Sequence, residues 1–141
     1  MELADVADDL TEVLLTETQI HDKIAELARR VEQDYAGERP LLVGVLKGAV
    51  MVMADVAREL KMHVDMDFMA VSSYGASTES SGVVRILKDL DADLEGRHVI
   101  IVEDIIDSGL TLAWLRANLE SRGPASLEIL ALLRKPDAAK V

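Results

Sequence analysis

The chain has no cysteine among its 141 residues. Disulfides, thiolate catalysis and cysteine-based zinc sites are therefore excluded, and the absence fits a reducing compartment. Aromatic residues are almost as scarce: one Trp, two Tyr and one Phe, 3% of the chain. Aliphatic side chains and six methionines must then fill the core. Basic residues are also few, 15 Lys and Arg against 26 Asp and Glu, for a net charge of −11. That balance argues against nucleic acid or an anionic membrane as a partner. Long apolar runs are missing too. The stretch LLVGVLKGAVMVMA is broken by Lys47, well short of the roughly 20 apolar residues of a membrane span. The opening MELADVADDL is acidic and carries no signal-peptide pattern. The expectation is a cytoplasmic protein.

What is present suits a packed α/β domain. Hydrophobic residues make up 50% of the chain. A chain of this size buries roughly two-thirds of its unfolded surface, and it shows neither internal repeats nor a clear domain boundary, so residues 1–141 read as one domain. Its most informative stretch is Val99 to Leu112, VIIVEDIIDSGLTL. Val99, Ile100, Ile101 and Val102 suit a strand buried on both faces, as in a parallel sheet. Glu103 and Asp104 follow at once, then Ile105, Ile106, Asp107, Ser108, Gly109 and Thr111. From Leu112 the period turns helical, with Leu115 and Leu119 on one face. A strand, a polar loop and a helix N-terminus form the place where α/β sheets bind ligands. Backbone N–H groups and hydroxyls at such a turn suit a phosphate. Glu103 and Asp104 would repel a bare phosphate but suit sugar hydroxyls or a hard cation such as Mg²⁺. A phosphorylated ribose with a bound metal satisfies all of them. The same residues also read as an N-cap at Asp107 or Ser108 behind a solvated acidic loop.

The remaining elements alternate. Residues 1–15 are an acidic lead-in. Thr16 and Gln19 match a capping box, and Ile20, Ile24, Leu27 and Val31 follow at helical spacing until Gly37 and Pro40. Leu41 to Leu46 predicts a buried strand, Lys47-Gly48 a tight turn, and Ala49 to Leu60 a helix. His63 to Ser72 alternates, which predicts a strand burying Val64, Met66, Phe68 and Ala70. Asp65, Asp67 and Met69 then point the other way, the acids toward solvent. Ser73 to Gly82 is a Ser- and Gly-rich linker or a loop that moves at a site. Val83 to Leu87 and Leu127 to Leu133 read as two more strands, and Lys135 follows the last one. About five strands alternating with helices predict a mainly parallel sheet flanked by helices. The turns at Lys47-Gly48 and at Glu103 to Thr111 then share one carboxyl edge.

The run of aliphatics, Glu103-Asp104, two aliphatics, Asp107-Ser108-Gly109, one residue and Thr111 resembles the phosphoribosyl-pyrophosphate motif of type I phosphoribosyltransferases. In particular it resembles that of the hypoxanthine (hypoxanthine-guanine) phosphoribosyltransferases, over about residues 10–141. The resemblance implies purine salvage: Mg²⁺-dependent transfer of a phosphoribosyl group from phosphoribosyl pyrophosphate to hypoxanthine or guanine. It implies that Glu103 and Asp104 hold the ribose diol and the metal. Ile106, Asp107, Ser108, Gly109, Leu110 and Thr111 would bind the 5′-phosphate, with Asp107 also the catalytic base on purine N7. Lys47 and Gly48 would bind pyrophosphate, after a Leu46–Lys47 peptide that is cis in some relatives. Ser73 and Tyr74 match a pair that leads a lid loop, and Lys135 would read the 6-oxo group of the purine. The resemblance also implies a homodimer or homotetramer. Family members continue past the position of Lys135 with strands that supply an aromatic and a further metal-binding acid. That hood segment reads as missing here, and the chain is expected to turn over weakly or not at all while still binding phosphoribosyl compounds. The alternatives are a non-catalytic regulator that senses nucleotides or phosphoribosyl pyrophosphate with the same fold, and a receiver-type signalling domain. The latter would need acids after the first strand, where Lys47-Gly48 stands instead.

Overall fold

The computed structural model describes residues 4–5, 14–73, 84–106 and 109–134. Helix α1, Glu17–Asp34, starts where its capping box predicts: Gln19 N–H donates to Thr16 Oγ1 at 3.1 Å, and Thr16 N–H donates to Gln19 Oε1 at 2.8 Å. Strand β1, Leu41–Leu46, leads through the turn at Lys47-Gly48 into helix α2, Val50–Glu59. Strand β2 is Asp65–Ser73, β3 is Val84–Lys88 and β4 is His98–Ile106. Helix α3, Leu110–Glu120, and strand β5, Ser126–Arg134, complete the order.

The five strands form one sheet in the order β3-β2-β1-β4-β5. The pairs β1–β2, β1–β4 and β4–β5 are parallel, and β2–β3 is antiparallel. The mainly parallel sheet expected from the alternating elements is thus present. Alternate residues of each central strand feed two separate cores. Leu42, Ile100 and Val102 pack with Ile24, Ala28 and Val31 of α1 and with Val52, Met53 and Val56 of α2. Leu41, Val43, Val99 and Ile101 pack with Leu112, Leu115 and Leu119 of α3. Cover on both faces is why Leu41, Leu42 and Val43 of β1 and Val99, Ile100, Ile101 and Val102 of β4 are runs of aliphatics. Gly44 lets α2 approach: a Cβ there would lie 2.6 Å from Met53 Sδ and 3.1 Å from the Phe68 ring. Among the described residues no helix is long and apolar enough to cross a membrane.

Strand β2 corrects one expectation. Its alternation is real, but Met66 is 53% exposed, whereas Met69 is fully buried and Asp67 nearly so. The reason is where cover lies. Helix α2 packs on β1 and β4, and α1 on β5, so neither packs closely on this flank of the sheet. On the opposite face Leu90, Ala92 and Leu94, from the connection between β3 and β4, close over β2. Asp67 tolerates burial because its carboxylate accepts three backbone hydrogen bonds: Phe68 N–H at 2.8 Å, and Asp91 and Ala92 N–H at 2.9 Å each. Asp65 remains half-exposed and pairs with Arg97 at 2.7 Å and Arg39 at 3.0 Å.

Candidate active site

Because β1 and β4 are adjacent and parallel, their carboxyl ends lie side by side. This brings the Lys47-Gly48 turn against the Glu103-Asp104 pair. A cleft of about 290 Å³ opens there, bordered by Leu46, Gly48, Glu103, Ile106, Gly109 and Thr111. Leu112 and Leu115 of α3 make part of its wall. The sequence pattern shows these two leucines only as core residues; their i, i+3 spacing marks the face but not the cleft beside it. A larger groove of about 840 Å³ runs between α1 and the outer side of β5, away from the strand-end acids.

The turn between β1 and α2 holds two exposed residues, Lys47 and Gly48, and the Leu46–Lys47 peptide is cis. The acids at the end of β4 differ in state. Glu103 is half-buried, and the loss of hydration pushes its carboxyl up to about 7, with the Asp104 charge adding to the effect. Asp104 is turned toward its own strand, where Oδ1 accepts from the Ile105 N–H at 2.8 Å. Its carboxylate also lies against Gly48: a Cβ on that glycine would meet Asp104 Oδ2 at 3.1 Å.

Helix α3 begins at Gly109, which is buried and takes φ +81°. Glycine adopts that left-handed conformation without the Cβ penalty. The N-terminal end of α3, which carries the positive end of the helix dipole, lies at the cleft, where Gly109 and Thr111 form part of the border. Ser73 ends β2 at the same edge and pairs with Val84. At the far side of the edge Ile106 pairs with Arg134, the last residue of β5. Asp107, Ser108, Tyr74 and Lys135 lie outside the described residues. The structure therefore brings together Lys47, Gly48, Glu103, Asp104, Ile106, Gly109, Leu110 and Thr111, with Ser73 at the same edge.

Known proteins share both sequence and shape with this chain. The phosphoribosyl transferase domain family matches residues 12–141. The hypoxanthine-guanine phosphoribosyltransferase of Mycobacterium bovis is 57% identical over 136 residues, covering 92% of this chain and 67% of that protein. Its counterpart in Streptococcus thermophilus is 48% identical over 133 residues, covering 94% of this chain and 74% of that one. A crystal structure of a hypoxanthine phosphoribosyltransferase from Staphylococcus aureus superposes with a TM-score of 0.93 at 44% identity, over 97% of this chain and 74% of that one. The chain thus spans two-thirds to three-quarters of the length of these relatives. With its strand-end acids, turn and helix N-terminus on one sheet edge, and with this likeness along nearly its whole length, the chain belongs to the phosphoribosyl transferase family.

Proposed function

We propose that the protein is an enzyme of purine salvage. It transfers the 5-phosphoribosyl group from phosphoribosyl pyrophosphate to hypoxanthine or guanine, giving IMP or GMP and pyrophosphate. The observation that carries this reading is the shared carboxyl edge of β1 and β4. A Lys-Gly turn, two acids and a helix N-terminus lie along that edge, beside a cleft that Gly48, Glu103, Gly109 and Thr111 border, and these match the three parts of the donor substrate: pyrophosphate, ribose diol and 5′-phosphate.

Each role follows from residue chemistry. Lys47 and the Gly48 backbone hold the leaving pyrophosphate. The 5′-phosphate sits on the segment from Ile106 to Thr111 and is drawn by the dipole of α3. That remote grip positions the anomeric carbon. Glu103 and Asp104 accept from the ribose hydroxyls. In their ionised form they also stabilise positive charge developing at the anomeric carbon. Asp107 takes the proton from purine N7. Lys135 donates to the 6-oxo oxygen, which adenine lacks. Ser73 and Tyr74 lead the loop that shields the reacting centre from water.

Mg²⁺ fits the same acids. Among the described residues no cation pairs with Glu103 or Asp104, and no cluster of three or more metal-binding side chains exists. Two neighbouring carboxylates suit an ion that completes its shell with substrate oxygens and water. Bound there by Glu103 and Asp104, it supplies positive charge against the leaving pyrophosphate. The reading includes a cytoplasmic homodimer or homotetramer, which sedimentation of the purified protein checks.

The test is an assay with phosphoribosyl pyrophosphate, Mg²⁺ and, in turn, hypoxanthine, guanine, xanthine and adenine, with donor binding measured in parallel. Product from a 6-oxopurine but not from adenine supports the reading. A protein that fails to bind phosphoribosyl pyrophosphate refutes it.

A further inference from the structure

Gly48 leaves a space, and a carboxylate fills it. The three atoms nearest to where a side chain would begin at residue 48 all belong to Asp104: Oδ2 at 3.1 Å, and Cγ and Oδ1 at 3.5 Å. Oδ1 is fastened as well by the Ile105 N–H at 2.8 Å. The carboxylate is therefore seated beside the glycine, in space that any other residue type would occupy. No ion pair within the described residues neutralises it. The loop it touches is the one assigned above to the leaving pyrophosphate. An anion drawn close to the Gly48 backbone must displace the carboxylate or meet a like charge at short range.

We propose that Asp104 is a positioning residue with two seats. Before substrate arrives it rests against Gly48, props the leaving-group loop and excludes pyrophosphate. When phosphoribosyl pyrophosphate enters, its diol draws the carboxylate away, and the vacated space admits the leaving group. Free pyrophosphate carries no diol, so it cannot move Asp104 and is accepted poorly. The site thereby discriminates its substrate from one of its own products. This inference rests on the assignment of Lys47-Gly48 to pyrophosphate and of Glu103-Asp104 to the diol.

The probe is inorganic pyrophosphate with a chelator present, titrated by calorimetry or by the fluorescence of Trp114, the single tryptophan of the chain. The titration is run at about pH 8.5, well above the ordinary carboxylate range. Asp104→Asn and Asp104→Ala are expected to bind pyrophosphate about tenfold more tightly than the unchanged protein. Glu103→Gln removes a neighbouring charge but leaves the seat filled, and is expected to change affinity less than about threefold. An equal gain in Glu103→Gln would mean general repulsion and overturns the proposal. So does the absence of any gain in the Asp104 variants while the unchanged protein binds phosphoribosyl pyrophosphate with Mg²⁺. Failure of the unchanged protein to bind that substrate overturns the site assignment as well. Circular dichroism checks the fold of the variants. Should they not fold, a crystal structure of the unchanged protein soaked in pyrophosphate decides. Asp104 still against Gly48 with pyrophosphate in the loop overturns the proposal, and Asp104 swung out supports it.

Discussion

Two carboxyl groups of the site lend themselves to single substitutions. Glu103 has a pKa raised from 4.5 to about 7 by partial burial. A carboxyl raised in this way favours folding while protonated. That advantage is full below the unfolded value and is lost as pH climbs through the folded one. Above about pH 7 the charged group instead costs up to about 3 kcal/mol. Glu103→Gln should therefore raise the melting temperature of the metal-free protein at pH 8, and the difference should vanish near pH 4. A melting curve unmoved at pH 8 would show that the group is well solvated. Asp107 is assigned to the chemical step as well as to the segment that holds the 5′-phosphate, where its neighbours share the grip. Asp107→Asn should lower kcat by about 10²-fold or more, the usual scale for a lost general base. The Kd for phosphoribosyl pyrophosphate should change little. Equal losses in both would contradict the assignment.

At the scale of elements, Asp67 ties β2 to the connection that leads from β3 to β4. Asp67→Ala takes away the acceptor that the Phe68, Asp91 and Ala92 N–H groups share. The expected cost is about 3 kcal/mol, because hydrogen bonds to a charged acceptor are lost together. Urea unfolding measures it, and a change below about 1 kcal/mol would mean that water replaces the carboxylate. The capping box of α1 offers a smaller, independent check. Thr16→Ala should cost about 1 kcal/mol, without altering substrate binding. These two sites differ in how readable they were. Thr16 and Gln19 are three residues apart, so spacing alone disclosed the cap. Asp67 bonds to residues 91 and 92, and the alternation of β2 marks two faces without telling which one is covered. The expectation of solvent-facing acids on β2 failed for Asp67 because the cover comes from a segment over twenty residues away.

The whole molecule poses an electrostatic conflict. A chain with net charge −11 is assigned a strongly anionic substrate. Local donors at the α3 N-terminus and Lys47 must outweigh the general field, and screening should help them. At about 0.15 M salt the Debye length is about 8 Å. Distant acids are then damped while contacts in the cleft persist. The affinity for phosphoribosyl pyrophosphate at fixed Mg²⁺ should accordingly rise as monovalent salt goes from about 0.01 M to about 0.1 M. A steady fall over that range would mean that the local cations dominate at every distance.

The sequence by itself determined the elements, the passage from strand to helix around Glu103 to Thr111, and the family pattern. These depend on short-range rules: β-branched runs, cap spacing, and a change of period from strand to helix. The five strands were readable in that way, although β4 runs on through Glu103 and Asp104 to Ile106, where the sequence pattern places the loop. Only the tertiary structure decided the strand order, the buried face of β2, the partners of Asp67, and the contact between Asp104 and Gly48. Those depend on parallel pairing between segments far apart in the chain, such as Gly44 with Val102. Such pairing sets which loops share an edge and which faces lie under a helix, and it leaves no periodic trace in either segment alone.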